Sequence, residues 1–301
     1  MKKIILKCKE LGIKYFVFYI FYRIFAQILF IYLSISKPKY GLNQITNREK
    51  KIIVSLTSYP ARFHTLHICI KSLLWQSIKP DKIILYLGED SAINQLSKKI
   101  LYLTQFGLEI EHRSDNLKPH KKYFYVMQEY PDDIVITVDD DTIYDRRLIS
   151  SLLQSYEQYP NAVSAKCVRA LVKDKDGNLA SYMDFSLVNR IVTQPSMQFL
   201  AIGVGGVLYP PYCIMNDAFD VEKIKNLCLN ADDIWLKFME IKNNVPVVWV
   251  PSYGLHTKFI TIPNTQDTAL YKTNAGYTVD NDIYIQNLEE LYSINLVDYC
   301  L

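Results

Sequence analysis

Apolar residues in this chain gather in short runs at regular intervals, with helix-like spacing between them. KIIVSL (51–56), KIILYL (82–87), LEIEHR (108–113) and IVITV (134–138) each read as a strand. Short runs rich in Ile, Val and Leu suit strands covered on both faces of a sheet. Residues 64–77 carry Leu66, Ile70, Leu73 and Leu74 on one stripe, the pattern of a helix with one buried side. Residues 92–106 and 118–130 read as two further helices. Repeated strand–helix–strand units of this length predict a mostly parallel α/β sheet with helical crossovers.

The pattern changes beyond residue 144. A helix is predicted over 145–158, a strand over 162–172 (AVSAKCVRALV) and a turn at 173–177. LAIGVGGVLYPP (200–211) reads as an apolar strand interrupted by Gly203, Gly205 and Gly206, a sign of close backbone approach or a bulge. A helix follows over 230–242, then the last strong strand, VPVVWVP (245–251), and a helical run near 280–293.

The N-terminus differs from the rest. Residues 1–14 are basic and amphipathic, and residues 15–34 are almost wholly apolar and aromatic. Twenty helical residues reach roughly 30 Å, the thickness of a bilayer core. Arg23 near the middle costs about 2.5–3.5 kcal/mol at a bilayer centre. A membrane-embedded or in-plane helix, a helix packed against protein, and a signal peptide all remain open. The lack of a small-residue cleavage site weakens the last. Lys37 and Lys39 add to the basic flank and suit an anionic membrane surface. Three regions result: a membrane-associated segment and linker over 1–45, a catalytic domain over 46–262, and a helical extension over 263–301.

Composition adds limits. The 301 residues are 50% hydrophobic and 22% charged, a globular balance. The net charge of +3 is small and dispersed, so no nucleic-acid footprint is present. Six cysteines without a CxxC spacing argue against a disulfide framework or a thiolate metal site, and point to a reducing compartment.

The chemistry concentrates at three places. Asp139, Asp140 and Asp141 follow the fourth strand directly, at the edge where open α/β sheets bind ligands. Adjacent carboxylates repel, and a hard divalent cation such as Mg²⁺ or Mn²⁺ relieves that repulsion. Strand alternation predicts Asp139 and Asp141 on one face and Asp140 on the other. The competing reading is a solvated acidic turn. Asp232 and Asp233 open the helix over 230–242, either as its cap or as a general base. His256, in a loop after the last strong strand, is either a surface residue or a further metal ligand.

In this order, five blocks resemble the GT-A nucleotide-sugar glycosyltransferases, and more narrowly the family-2-like bacterial enzymes of polysaccharide (capsule or lipopolysaccharide) assembly. The blocks are 54–87, HKKYFYVMQEYPDDIVITVDDD (120–141), IGVGGVLYPP (202–211), NADDIWL (230–236) and GLHTK (254–258). The resemblance implies a Rossmann-like, mostly parallel sheet with helices on both faces and a mixed C-terminal half. It implies an inverting transferase that moves a sugar from a nucleotide donor, commonly UDP-linked, to a hydroxyl of a glycan or lipid-linked acceptor at the cytoplasmic face of a membrane. Thr57, Tyr59, Arg62, Asp115, Lys122, Asp139, Asp140, Gly205, Gly206 and Lys258 would meet the nucleotide sugar. Asp139, Asp141 and His256 would hold Mn²⁺ or Mg²⁺. Asp233, or its neighbour Asp232, would be the base. The alternatives are a nucleotidyltransferase acting on a sugar phosphate, and a non-catalytic, membrane-tethered binding protein. The first usually carries a glycine-rich loop after its first strand, and TSYPAR (57–62) has no glycine.

Overall fold

The structure is a computed structural model that describes residues 2–45, 47–187, 194–214, 216–251, 260–263, 265 and 281–300. The chain opens with a long helix, α1 (Lys2–Ile35). The first half then alternates β1 (Ile52–Thr57), α2 (Phe63–Leu74), β2 (Lys82–Leu87), α3 (Lys98–Tyr102), β3 (Leu108–His112), α4 (Lys121–Glu129) and β4 (Ile134–Val138). The second half adds β5 (Thr142–Ile143), α5 (Leu148–Gln158), β6 (Val163–Ala165), β7 (Val168–Ala170), β8 (Ser186–Leu187), β9 (Phe199–Ala201) and β10 (Val207–Tyr209). It ends with α6 (Val221–Leu227), α7 (Asp232–Lys242), β11 (Val247–Trp249), β12 (Ile260–Thr261) and α8 (Asn281–Tyr292).

Seven strands form the central sheet in the order β11-β6-β10-β4-β1-β2-β3. All pairings are parallel except those of β10, which runs against β4 and β6. The protein is therefore a mixed α/β fold on a mostly parallel sheet. Alternation along β1 sends Ile52, Val54 and Leu56 into one core layer with α2 and α5, and Ile53 into the layer beneath α4. Leu66, Ile70 and Leu73 of α2 are fully buried, each contributing roughly 1.5–3 kcal/mol. Ile234, Trp235 and Phe238 of α7 anchor a separate layer with β7, β9 and α8.

Several predicted elements are divided in the structure. The helix expected over 92–106 is broken: Ser97 caps α3 by accepting from the Ile100 N–H (3.4 Å), and Gly107 ends the segment at φ +111°. The strand expected over 162–172 is two strands in different sheets, since β6 joins the central sheet and β7 a three-stranded one with β8 and β9. The strand expected over 200–211 is likewise β9 and β10, joined by a tight turn that Gly206 closes at φ +88°. A Cβ at Gly206 would lie 2.9 Å from Leu148 Cδ1, so glycine is required there twice over. Period-2 patterning cannot distinguish one strand from two that change sheets at a turn.

The segment over 36–50 is tied to the domain: Asn43 and Arg48 both bond Asp81 at 2.7 Å. The end of α1 packs on α2. Leu33 enters the core, and Tyr32 lies 5.8 Å from the Trp75 ring. Lys71 Nζ donates to Leu33 O (2.7 Å) and Ser36 O (2.8 Å), capping the helix terminus with positive charge. Among the described residues, no helix is long and apolar enough to cross a membrane.

Two buried histidines make stability depend on pH. His120 donates from Nε2 to Cys228 O (2.8 Å), and burial lowers its pKa to about 4. Burial, reinforced by Lys99 and Lys71, lowers His67 to about 4 as well. Both are neutral when folded and protonate near pH 6.5 when unfolded. The unfolded state therefore binds more protons between pH 6.5 and 4, and stability falls as pH drops through that window. His120 alone accounts for a loss on the order of 2–3 kcal/mol between pH 7 and pH 4.5. Urea unfolding at the two pH values measures it. His120→Asn, less stable at pH 7, should show a shallower slope, and an unchanged slope would contradict this account.

Candidate active site

The parallel strands bring the loops after β1, β2, β3, β4, β6 and β11 to one edge of the sheet. Because β10 is reversed, the turn before it, Gly203–Gly205, arrives at the same edge. The N-terminus of α7 comes in beside that turn, where Asp233 Oδ1 accepts the Gly203 N–H (3.0 Å). Asp139, Asp140, Asp141, Asp232 and Asp233 thus share a neighbourhood with two buried cations, Arg62 and Lys122.

Each cation holds a different subset. Arg62 Nη1 lies 2.5 Å from Asp140 Oδ1 and 3.0 Å from Asp141 Oδ2. Its guanidinium sits 5.6 Å from the Tyr59 ring centre. Ser58 Oγ donates to the other Asp140 oxygen (2.5 Å). Lys122 Nζ bridges Asp139 Oδ1 (2.8 Å) and Asp232 Oδ2 (2.9 Å). The strand ends at Val138, so Asp140 and Asp141 lie in a turn and the expected alternation does not extend to them. What separates Asp139 from the other two is which cation each meets.

Charge balance sets the protonation behaviour. Burial first, then Asp139, raises Asp141 to about 6 against the pull of Arg62. Burial, then Asp232, pushes Asp233 well above the usual carboxylate range. Lys122 is raised, because Asp139 and Asp232 more than offset its desolvation.

The remaining predicted residues take several places. Thr57 Oγ1 donates to Tyr86 O (2.8 Å) at the mouth of β1. Asp115 stands beyond β3, accepts from the Tyr125 hydroxyl, and lends its carbonyl to Glu89 N–H (3.2 Å). Gly205 packs against Cys167, with Lys166 Cβ 3.1 Å from the position of an added Cβ, and Gly206 packs against Leu148. Neither glycine is shown against the carboxylates. Gly203 is: an added Cβ would lie 2.7 Å from Lys122 Nζ and 3.2 Å from Asp139 Oδ1. Gly203 was not singled out as a site residue. Ser58 and the sheet-edge Lys166 were also missed, since their roles depend on contacts far along the chain. His256 and Lys258 lie outside the described residues.

A divalent cation suits the donor set. Among the described residues, Asp139 Oδ2 has no hydrogen-bond or ion-pair partner, and the side chain is 29% exposed. Among the described residues, no three His, Cys, Asp or Glu side chains form a metal cage. Mg²⁺-type sites commonly take one or two carboxylates and complete their shell with substrate phosphates and water. Asp139 and Asp141 fit that role.

No family profile and no curated protein sequence matches the chain. Solved structures give loose matches. CMP:2-keto-3-deoxy-manno-octonic acid synthetase complexed with CTP is 13% identical over 74% of this chain and 98% of that one, with a TM-score of 0.42. The mannosyltransferase PcManGT from Pyrobaculum calidifontis, in complex with GDP-Man and Mn²⁺, is 11% identical over 80% and 69%, with a TM-score of 0.41. The inositol-1-phosphate CTP transferase from T. maritima is 10% identical over 81% and 98%, with a TM-score of 0.40. Overlaps this loose do not distinguish sugar transfer from nucleotidyl transfer, and the functional reading rests on the side chains.

Lys122 is the neutralising centre of one half of the site. Lys122→Met should lower unfolding stability by about 3–5 kcal/mol, the usual result of leaving a buried charge unpaired. Adding Asp232→Asn should recover part of that loss in a double-mutant cycle read by urea denaturation. Strict additivity of the two changes would refute the pairing.

Proposed function

We propose that the chain is an inverting, metal-dependent glycosyltransferase. It would take a sugar from a nucleotide-sugar donor, UDP-linked in the simplest reading, and pass it to an acceptor hydroxyl. The observation that carries this is the unlike treatment of two adjacent acids. Asp232 is buried and paired with Lys122. Asp233 is half-buried, is oriented by a backbone N–H, and has a raised pKa. Among the described residues no cation forms an ion pair with Asp233, and a carboxylate that is positioned and more basic than usual suits proton abstraction. Nucleotidyl transfer has less support: the loop after β1 has no glycine, and its Arg62 is committed to Asp140 and Asp141.

In this reading the acceptor oxygen bonds to the anomeric carbon as the bond to the nucleoside diphosphate breaks. The hydroxyl proton goes to Asp233 and the negative charge leaves with the diphosphate. Asp139 and Asp141 would hold Mn²⁺ or Mg²⁺, which when bound stabilises that leaving charge. Lys122 and Arg62 keep the carboxylates in place and add positive potential. Thr57, Tyr59 and Asp115 line the edge at which the nucleoside would lie.

The proposed location is the cytoplasmic face of a membrane, with α1 lying along the surface. Its support is the outward face of α1, where Phe21, Ile24, Ile28 and Ile31 are each about half exposed or more. Phe21→Glu with Ile28→Glu should release the protein from co-sedimentation with anionic vesicles; sedimentation unchanged by both substitutions would count against it.

Release of nucleoside diphosphate from UDP-sugars, with Mn²⁺ and a hydroxyl acceptor, tests the chemistry. Asp233→Asn should reduce turnover by about 10²–10⁴ with donor affinity retained. Asp141→Ala should abolish Mn²⁺-dependent UDP binding. Full activity in EDTA, or a loss confined to Asp232→Asn, would sink the respective assignment.

A further inference from the structure

Beside the carboxylate edge lies a cavity of about 470 Å³, within the range of small-ligand sites. Its floor and walls come from elements distant in the chain. Phe25 and Leu29 of α1, Trp75, Leu148 and Ile260 supply the apolar surface. Arg146, Arg147 and Lys166 supply positive charge against one carboxylate among the described lining residues, Asp145. Arg146 lies 5.8 Å from the Trp75 ring centre. Arg147 faces Asp145 at 3.7 Å, and both are well exposed.

Lys166 is the informative group. It follows β6 and is only 9% exposed. Its ammonium donates to Ser151 Oγ (3.2 Å) and Pro251 O (3.0 Å), both neutral, and it makes no ion pair among the described residues. Desolvation lowers its pKa to about 8. A buried cation with neutral partners is costly, and an anion entering the cavity removes that cost. Apolar walls with an excess of cations complement a ligand with a hydrocarbon chain and an anionic head.

The cavity meets the reaction edge at one wall. Tyr144 lines it, and the same hydroxyl accepts the Asp139 N–H (2.7 Å) and bonds Val204 O (3.3 Å). Gly205 also lines it and sits against Lys166. The apolar wall continues into the exposed face of α1, because Phe25 belongs to both. A chain entering from a bilayer along α1 would bring its head to the back of the carboxylate cluster.

We infer that this cavity binds the lipid phosphate of a lipid-linked acceptor, with the hydrocarbon chain against Phe25, Leu29 and Trp75 and the phosphate at Lys166 and Arg146. This rests on the glycosyltransferase reading for the word acceptor; the binding itself does not.

Titration calorimetry on the full-length protein tests it with decyl phosphate, decanol and inorganic phosphate as probes. Decyl phosphate should bind at least tenfold more tightly than either of the others. Lys166→Gln should weaken it at least tenfold, and Gln154→Trp, which fills the cavity from α5, should abolish it. Both variants should keep the thermal melt and Mn²⁺-dependent UDP binding of the parent. If Lys166→Gln fails to fold, Gln154→Trp decides alone. Decyl phosphate binding that ignores the substitutions, or matches decanol, overturns the inference. So does a Lys166→Gln protein that no longer sediments with phosphatidylglycerol vesicles, since the cation would then read bilayer headgroups. UDP binding without decyl phosphate binding removes the cavity and spares the transferase reading; the converse removes the transferase reading and spares the cavity.

Discussion

Five carboxylates gathered at one sheet edge, with two buried cations between them, are the constraint on which the rest of the site depends. Like charges at this density would separate if left to themselves. Arg62 and Lys122 prevent that from two directions, one from the loop after β1 and one from α4. The cost of burying both cations is offset only while every partner is in place. Among the described residues, carboxylates at this edge outnumber the cations that hold them.

The fold serves this constraint through one reversed strand. With β10 antiparallel, the turn that precedes it reaches the edge where the parallel strands end. That turn supplies the Gly203 N–H to Asp233 and the space that Lys122 occupies. Two acids adjacent in sequence, Asp232 and Asp233, thereby acquire different partners and different chemistry. The same turn, through Gly205, backs onto Lys166 and the apolar cavity, so the carboxylate cluster and the cationic cavity share a wall.

Much of the first half was legible from pattern alone. Strands β2 and β4 fall where the apolar runs do, and α2 buries the stripe read from its spacing, because both signals are local and repeat with a fixed period. The triple aspartate and the Asp232–Asp233 pair stand out in sequence because charge next to a buried run is conspicuous. The broken helix near 97 and the divided strands near 166 and 203 were not legible. A cap or a sheet change occupies one or two residues and leaves the surrounding hydrophobicity unaltered.

What the sequence determined by itself was the parallel α/β framework, the end of the sheet that would carry carboxylates, and an apolar N-terminal helix. Tertiary structure alone decided which charges meet. Arg62 and Asp140 are 78 residues apart, and Gly203 and Asp233 are 30 apart. Lys166 becomes a buried cation only because Ser151 and Pro251 close over it. Periodicity records which way a residue faces within its own element. Partnership between elements depends on strand order and on the direction of β10, and neither leaves a local mark in the chain.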